Sequence, residues 1–189
     1  MAGTHKKIPE GLSLEEFLRL PEEKPYLEYI DGRIEVKVSP QFKHSVLQFR
    51  LTECLNQFAG PTRLGWAGPE LRCTFAGRSI VTDICYLRME HIELDDQGEP
   101  VDRVRRPPDL HVEIISPEQS VRKSVRNLTF SITHGSSLGW LIHPYKKTVA
   151  IYRPDREPET LGLEGILDGA EVLPGFQLAV ADLFGWLKL

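Results

Sequence analysis

Three carboxylates stand in apolar surroundings. Glu113 interrupts the run "PDLHVEIISP", Asp83 interrupts "IVTDICYL", and Glu28 lies in "YLEYI". A buried carboxylate without a partner is costly, or it takes up a proton. Each of these acids must therefore meet a cation, a hydrogen-bond network or a metal. Side chains alternate along a strand. Val81, Asp83, Cys85 and Leu87 then share one face of their strand, and His111, Glu113 and Ile115 share one face of theirs. If the two strands are neighbours, Asp83 and Glu113 converge, with Glu28 as a third candidate. Clustered carboxylates repel one another unless a cation lies among them, and an oxygen-only donor set suits Mg²⁺ or Mn²⁺. A metal so held can activate water and neutralise charge on a phosphodiester. The competing reading is simple ion pairing, Asp83 with Arg72 and Glu113 with Lys123.

Other chemistries have less support. The six histidines (His5, His44, His91, His111, His134 and His143) show no HxxxH or HxH spacing, which argues against a zinc site. His111 shares the face of Glu113, where it either supports that acid or is a satisfied structural histidine. His44 opens a long helix and is placed to face the same cleft. No GxSxG, Walker or GxGxxG element occurs, so acyl hydrolases, P-loop enzymes and dinucleotide binders are unsupported. The net charge of −4 is not that of a strongly basic nucleic-acid binder. Two local basic clusters remain, "RVRR" (Arg103, Arg105, Arg106) and "VRKSVR" (Arg122, Lys123, Arg126), and each reads equally well as a solvated face.

The surrounding elements follow from pattern. With 189 residues, 41% hydrophobic and 26% charged, the chain suits one domain spanning 1–189, with residues 1–11 as a flexible N-terminal segment. "SLEE" fits a capping box on Ser13, opening a helix to about Leu20. "YLEYIDGRIEVKV" reads as a hairpin turning at Asp31-Gly32. Residues 41–58 form a helix, with Val46, Phe49, Leu51, Leu55 and Phe58 as its apolar stripe. "GPELRCTFAG" and "SIVTDICYLR" read as two antiparallel strands turning at Gly77-Arg78. Residues 90–107 form a long loop. A strand at 110–115 precedes a helix from Glu118 to about His134, stopped by Gly135. "LGWLIHP" and "TVAIYRP" form a hairpin. The tail holds a strand near 160–163, a turn at Pro174-Gly175 and a short final helix. The three cysteines (Cys54, Cys73, Cys85) form no CxxC pair and read as reduced thiols of a cytoplasmic protein. No apolar run is long enough to span a membrane, and "MAGTHKKIPEGLSLEEF" lacks the apolar core of a signal peptide. The fold class is α/β.

Taken in order, "LSLEEFLRLPEEKPYLEYIDGRIEV", "SPQFKHSVLQFRLTECL", "VTDICYL", "PPDLHVEIISP", "GWLIHPYKKTVAIYR" and "LPGFQLAVADLF" resemble the Uma-type (DUF820-like) restriction-endonuclease family of bacteria, over about residues 12 to 187. The resemblance implies a restriction-endonuclease-like PD-(D/E)xK core, a central mixed β-sheet flanked by α-helices. It also implies a Mg²⁺-dependent phosphodiesterase acting on DNA. Asp83 matches the acid of the family's "PD", Glu113 that of "VEVLSP", Glu28 that of "YELIDG", and His44 the histidine opening the long helix.

The chain also departs from that pattern. The "PD" proline is Thr82, and the ExK lysine position is Ile115. Family members commonly carry the lysine on the next helix. Counted back from Gly135, that position is Asn127, the helix aspartate is Lys123 and the helix tyrosine is Ser131. Lys123 and Asn127 lie one turn apart on the same helix face, so Lys123 is the candidate substitute for the missing lysine. Two functions follow. One is an active nuclease: Asp83 and Glu113 hold Mg²⁺ or Mn²⁺, Glu28 assists, Lys123 orients water, and Arg122 and Arg126 contact phosphate. The other is a catalytically degenerate member that binds nucleic acid or protein. Cutting two strands also suggests a homodimer.

Overall fold

The computed structural model of the chain describes residues 11–117 and 120–188. The expected N-terminal segment falls almost wholly outside them. The capping box forms, Ser13 N–H donating to the Glu16 carboxylate at 2.8 Å and Glu16 N–H donating to Ser13 Oγ at 3.3 Å. The helix behind it, α1 (Leu14–Phe17), is a single turn that ends before Leu20 and buries only Phe17. So short a helix depends on tertiary packing, and one apolar anchor holds only one turn. The hairpin β1 (Leu27–Ile30) and β2 (Arg33–Val36) turns at Asp31-Gly32, both at positive φ, as a tight primed turn requires. Helix α2 (Phe42–Ala59) follows, with Leu47, Leu51 and Leu55 fully buried. Phe49, expected in its apolar stripe, instead faces solvent at 66% exposure.

The two strands expected between Gly68 and Arg88 belong to a set of four: β3 (Gly65–Pro69), β4 (Arg72–Phe75), β5 (Arg78–Val81) and β6 (Ile84–Arg88). Glu70, at φ 51°, breaks the first run, and Thr82-Asp83 separates β5 from β6. The β4–β5 turn uses Ala76 and Gly77 at positive φ, one residue earlier than expected. The loop of residues 90–107 is pinned at Val104, whose carbonyl accepts from Thr74 N–H at 2.9 Å. Next come β7 (Leu110–Ile114) and α3 (Val121–Thr133), whose expected start at Glu118 lies outside the described residues. The hairpin β8 (Leu138–His143) and β9 (Thr148–Tyr152) continues into β10 (Glu159–Leu161). A small pair not foreseen from sequence, β11 (Ile166–Asp168) and β12 (Gln177–Ala179), leads to α4 (Val180–Gly185).

Six strands form the central mixed sheet in the order β10-β9-β8-β7-β6-β3, with β7 and β8 parallel and α3 as their crossover. A second sheet has the order β2-β1-β5-β4. One face of the central sheet, including Tyr86, Val112 and Trp140, packs on α2 and the tail through Leu51, Leu55, Phe176 and Leu183. On the other face, Cys85 and Leu87 pack against Ile30, Cys73, Phe75 and Ile80 of the second sheet and Phe130 of α3. With both faces covered, β7 is buried at every position, His111 and Glu113 included. A charged residue in that strand is thereby confined to the interior. Leu51 lies at the centre of the larger core with no exposed surface. Leu51→Ala is expected to lower stability by about 2–5 kcal/mol in urea denaturation, through lost burial and a residual cavity.

Candidate active site

Strands β6 and β7 pair with Ile84 opposite Val112 and Cys85 opposite His111. One residue further along, Asp83 meets Glu113. Asp83 sits where the chain leaves the small sheet for the central one, so groups from both layers reach it. Lys37, just beyond β2, places Nζ 2.8 Å from Asp83 Oδ1 and donates to Val81 O at 2.5 Å. His44, in the first turn of α2, places Nε2 3.0 Å from Asp83 Oδ2. The same oxygen accepts from Ile114 N–H at 2.7 Å, so strand β7 itself grips the carboxylate. Gln48, one turn along α2 from His44, donates to Asp83 O at 2.8 Å. Burial works against ionisation of Asp83, but Lys37 and His44 outweigh it and hold the carboxyl well below the usual range. Burial likewise works against the Lys37 ammonium, but the charges of Asp83, Glu113 and Glu28 keep it protonated well above its ordinary range.

Glu113 is held from its own strand. His111 Nε2 lies 3.0 Å from Glu113 Oε1, and His111 Nδ1 lies 2.8 Å from Ser131 Oγ on α3. The Ser–His–acid connectivity resembles that of an acyl-transfer triad. Ser131 and His111 are completely buried and Asp83 and Glu113 are each 1% exposed, so the whole cluster is enclosed. The chain of contacts orients Glu113. The contact described for Glu113 runs through Oε1.

The ion pairs expected as alternatives do not form. Arg72 is engaged by Glu22, with Nη2 2.9 Å from Oε2, and also contacts Ser79 and Leu27 O, not Asp83. Lys123 lies 2.7 Å from Glu28 Oε2 and 3.4 Å from Glu35, and donates to Val36 O at 3.1 Å. It therefore meets neither Glu113, its expected ion-pair partner, nor Asp83. The other oxygen of Glu28 accepts from Val81 N–H at 2.9 Å. Arg126 grips Glu35 with two hydrogen bonds, at 2.9 and 2.8 Å, and holds that carboxyl below its usual range. Arg122 is exposed and forms no ion pair among the described residues. Asn127 is 3% exposed, with its Oδ1 unpaired. Ser124, Asn127 and Ser131 form the buried polar stripe of α3. Because α3 runs back along β7, four helix residues match about two strand residues, near 6 Å in each case. Ser131 meets His111, so Asn127 comes level with Glu113.

Lys37 is the residue in contact with Asp83 that sequence reasoning missed. A signal was available. Glu28 pairs directly with Glu35 across β1 and β2. Like charges placed opposite each other are destabilising and need cations nearby. By alternation, Lys37 shares the face of Glu35.

The site can be tested for fit to a divalent cation. Among the described residues, no three His, Cys, Asp or Glu side chains gather into a cage. Two neighbouring buried carboxylates suit instead the mode in which Mg²⁺ is held by one or two acids and keeps much of its water. Asp83 and Glu113 fit that mode. Glu28, committed to Lys123 and Val81, stands apart from it.

A mixed sheet flanked by helices, with acids meeting across two central strands, has the layout of the restriction-endonuclease-like fold. The comparisons agree. The family model Uma2, described as "Putative restriction endonuclease", matches residues 14–181. A crystal structure described as "a putative nuclease belonging to DUF820 from Anabaena variabilis ATCC 29413" superposes with a TM-score of 0.90 at 38% identity, covering 93% of this chain and 99% of that one. No curated protein matches. The chain belongs to the Uma2 family.

Proposed function

We propose that this protein is a metal-dependent endonuclease hydrolysing DNA phosphodiester bonds, with Asp83 and Glu113 as the residues that would hold Mg²⁺ or Mn²⁺. The observation carrying this reading is the pair itself: two buried acids side by side, Glu113 within β7 and Asp83 just before β6, whose Oδ2 accepts from the Ile114 N–H next to Glu113. When bound, the metal would supply charge for the phosphate and lower the pKa of a water. His111 and Ser131 fix the orientation of Glu113, and His44 and the Ile114 N–H fix that of Asp83. Glu28 and Lys123 tie the β1–β2 hairpin to α3 beside the acids.

Arg122, exposed on the first turn of α3, is the residue available to a DNA phosphate, whereas Arg126 is committed to Glu35. Arg122→Ala is expected to weaken DNA binding without regard to sequence. It should also reduce the slope of log affinity against log salt by about 1, measured by fluorescence anisotropy. Two-fold pairing of copies would present two sites to the two strands.

A second reading has its own support. Three groups already occupy Asp83, and the expected lysine position of α3 holds the buried, uncharged Asn127. A chain in that condition would bind nucleic acid or protein without cutting. Incubation with supercoiled plasmid and with single-stranded DNA, in Mg²⁺ or Mn²⁺ and with excess chelator, separates the two. Metal-dependent nicking that chelator stops supports the nuclease; intact DNA under every condition favours the binding module. No helix among the described residues is long and apolar enough to cross a membrane, so neither reading calls on one.

A further inference from the structure

We infer that Lys37 supplies the cation that acts beside the reacting phosphate in this site, from the connection between β2 and α2, where α3 supplies none. The inference rests on the nuclease reading above. It starts from a surplus. Asp83 is buried, but His44 and the Ile114 N–H already satisfy one of its oxygens. Burying an ammonium as well is expensive and is repaid only with good geometry and further hydrogen bonds. A neutral donor at position 37 would complete the hydrogen bonding of Asp83 without that penalty. The chain nevertheless carries a lysine there, its side chain only 10% exposed.

The other cations near the site are paired elsewhere, whereas Lys37 is paired with Asp83 itself and with Val81 O. Lys123 is shared between Glu28, Glu35 and Val36 O, and Arg126 is bidentate on Glu35. The buried polar residues of α3 are Ser124, Asn127 and Ser131, none of them charged. Lys37 is thus the lysine in contact with Asp83. It also meets the surface. A depression of about 20 Å³, enough for one water, is lined by Tyr26, Lys37, Val38, Ser39, Pro40 and Glu70. A lysine reaching from solvent to the acids can steady an attacking water or the charge developing on phosphorus-bound oxygen.

The test measures plasmid cleavage and Mn²⁺ binding, the latter by calorimetry, for the wild type, Asp83→Asn, Lys37→Gln and Lys37→Gln with Asn127→Lys. Lys37→Gln is expected to slow kcat roughly 10²–10³-fold with little change in KM, since a preorganised charge acts on the transition state. Its Mn²⁺ affinity should hold or tighten, and Asn127→Lys should restore much of the lost rate. If Lys37→Gln does not fold, Lys37→Arg keeps the charge and the ion pair but displaces the cationic head. That variant should slow cleavage while retaining the wild-type Tm. Wild-type cleavage by a folded Lys37→Gln or Lys37→Arg protein would overturn the inference, as would loss of cleavage together with loss of Mn²⁺ binding. If Asp83→Asn abolishes wild-type cleavage, the nuclease reading stands whatever Lys37 does. A wild type that cuts nothing overturns both.

Discussion

Asp83→Ala should abolish metal-dependent cleavage and destabilise the fold by about 3–5 kcal/mol, the usual cost of breaking a buried ion pair from one side. The two effects have separate causes. Cleavage is lost because one of the two facing acids has gone. Stability is lost because Asp83 joins three elements: Lys37 beyond β2, His44 on α2 and the Ile114 N–H of β7. Without the carboxylate, a buried ammonium and a backbone N–H are left without their acceptor. Asp83→Asn keeps an acceptor and the side-chain shape, so it should abolish cleavage at a smaller stability cost. Urea denaturation beside plasmid nicking measures both. A protein of wild-type stability after Asp83→Ala would mean that this network does not hold the layers together.

The second large effect is a loss of stability in acid. Asp83 has a depressed folded pKa, set against an unfolded value of about 3.9. A group depressed in this way contributes stability that is fully present above the unfolded pKa and is lost as pH falls through the folded one. Stability should therefore drop as pH falls below about 4. Asp83→Asn, less stable at neutral pH, should show a flatter profile across the same range. Lys37 acts in the opposite direction. Its folded pKa is raised, so its contribution is complete below the unfolded value of about 10.4 and fades as pH rises through the folded one. Denaturant midpoints measured from pH 2 to 7 check the acid limb. Parallel curves for wild type and Asp83→Asn would contradict it.

Much of this was legible in the residues. The nearness of Asp83 and Glu113 was expected from alternation along one strand, but that strand is broken: Val81 ends β5 in the second sheet, and Asp83 lies between it and β6, which pairs with β7. His44 and His111 were recognisable as neighbours of the acids from helix position and strand face. Three things were hidden, each for a physical reason. The division of residues 65–88 between two sheets depends on Glu70 at positive φ and on Thr82-Asp83 outside the ladder, and no periodicity marks either. The partner of Lys123 depends on how the β1–β2 hairpin lies against α3, a contact between residues some 90 positions apart in the chain. Lys37 reads as a solvent-facing residue at the end of a polar hairpin. Its burial appears only when the end of β5 and Asp83 after it lie against it.

The central claim is that Asp83 and Glu113 together hold one divalent metal ion. Titrating Mn²⁺ into the protein and following the free-ion signal by electron paramagnetic resonance tests it most directly. The account predicts one bound Mn²⁺ per chain in the wild type, with binding lost in both Asp83→Asn and Glu113→Gln. A free Mn²⁺ signal undiminished by the wild-type protein, or diminished equally by all three, would contradict it.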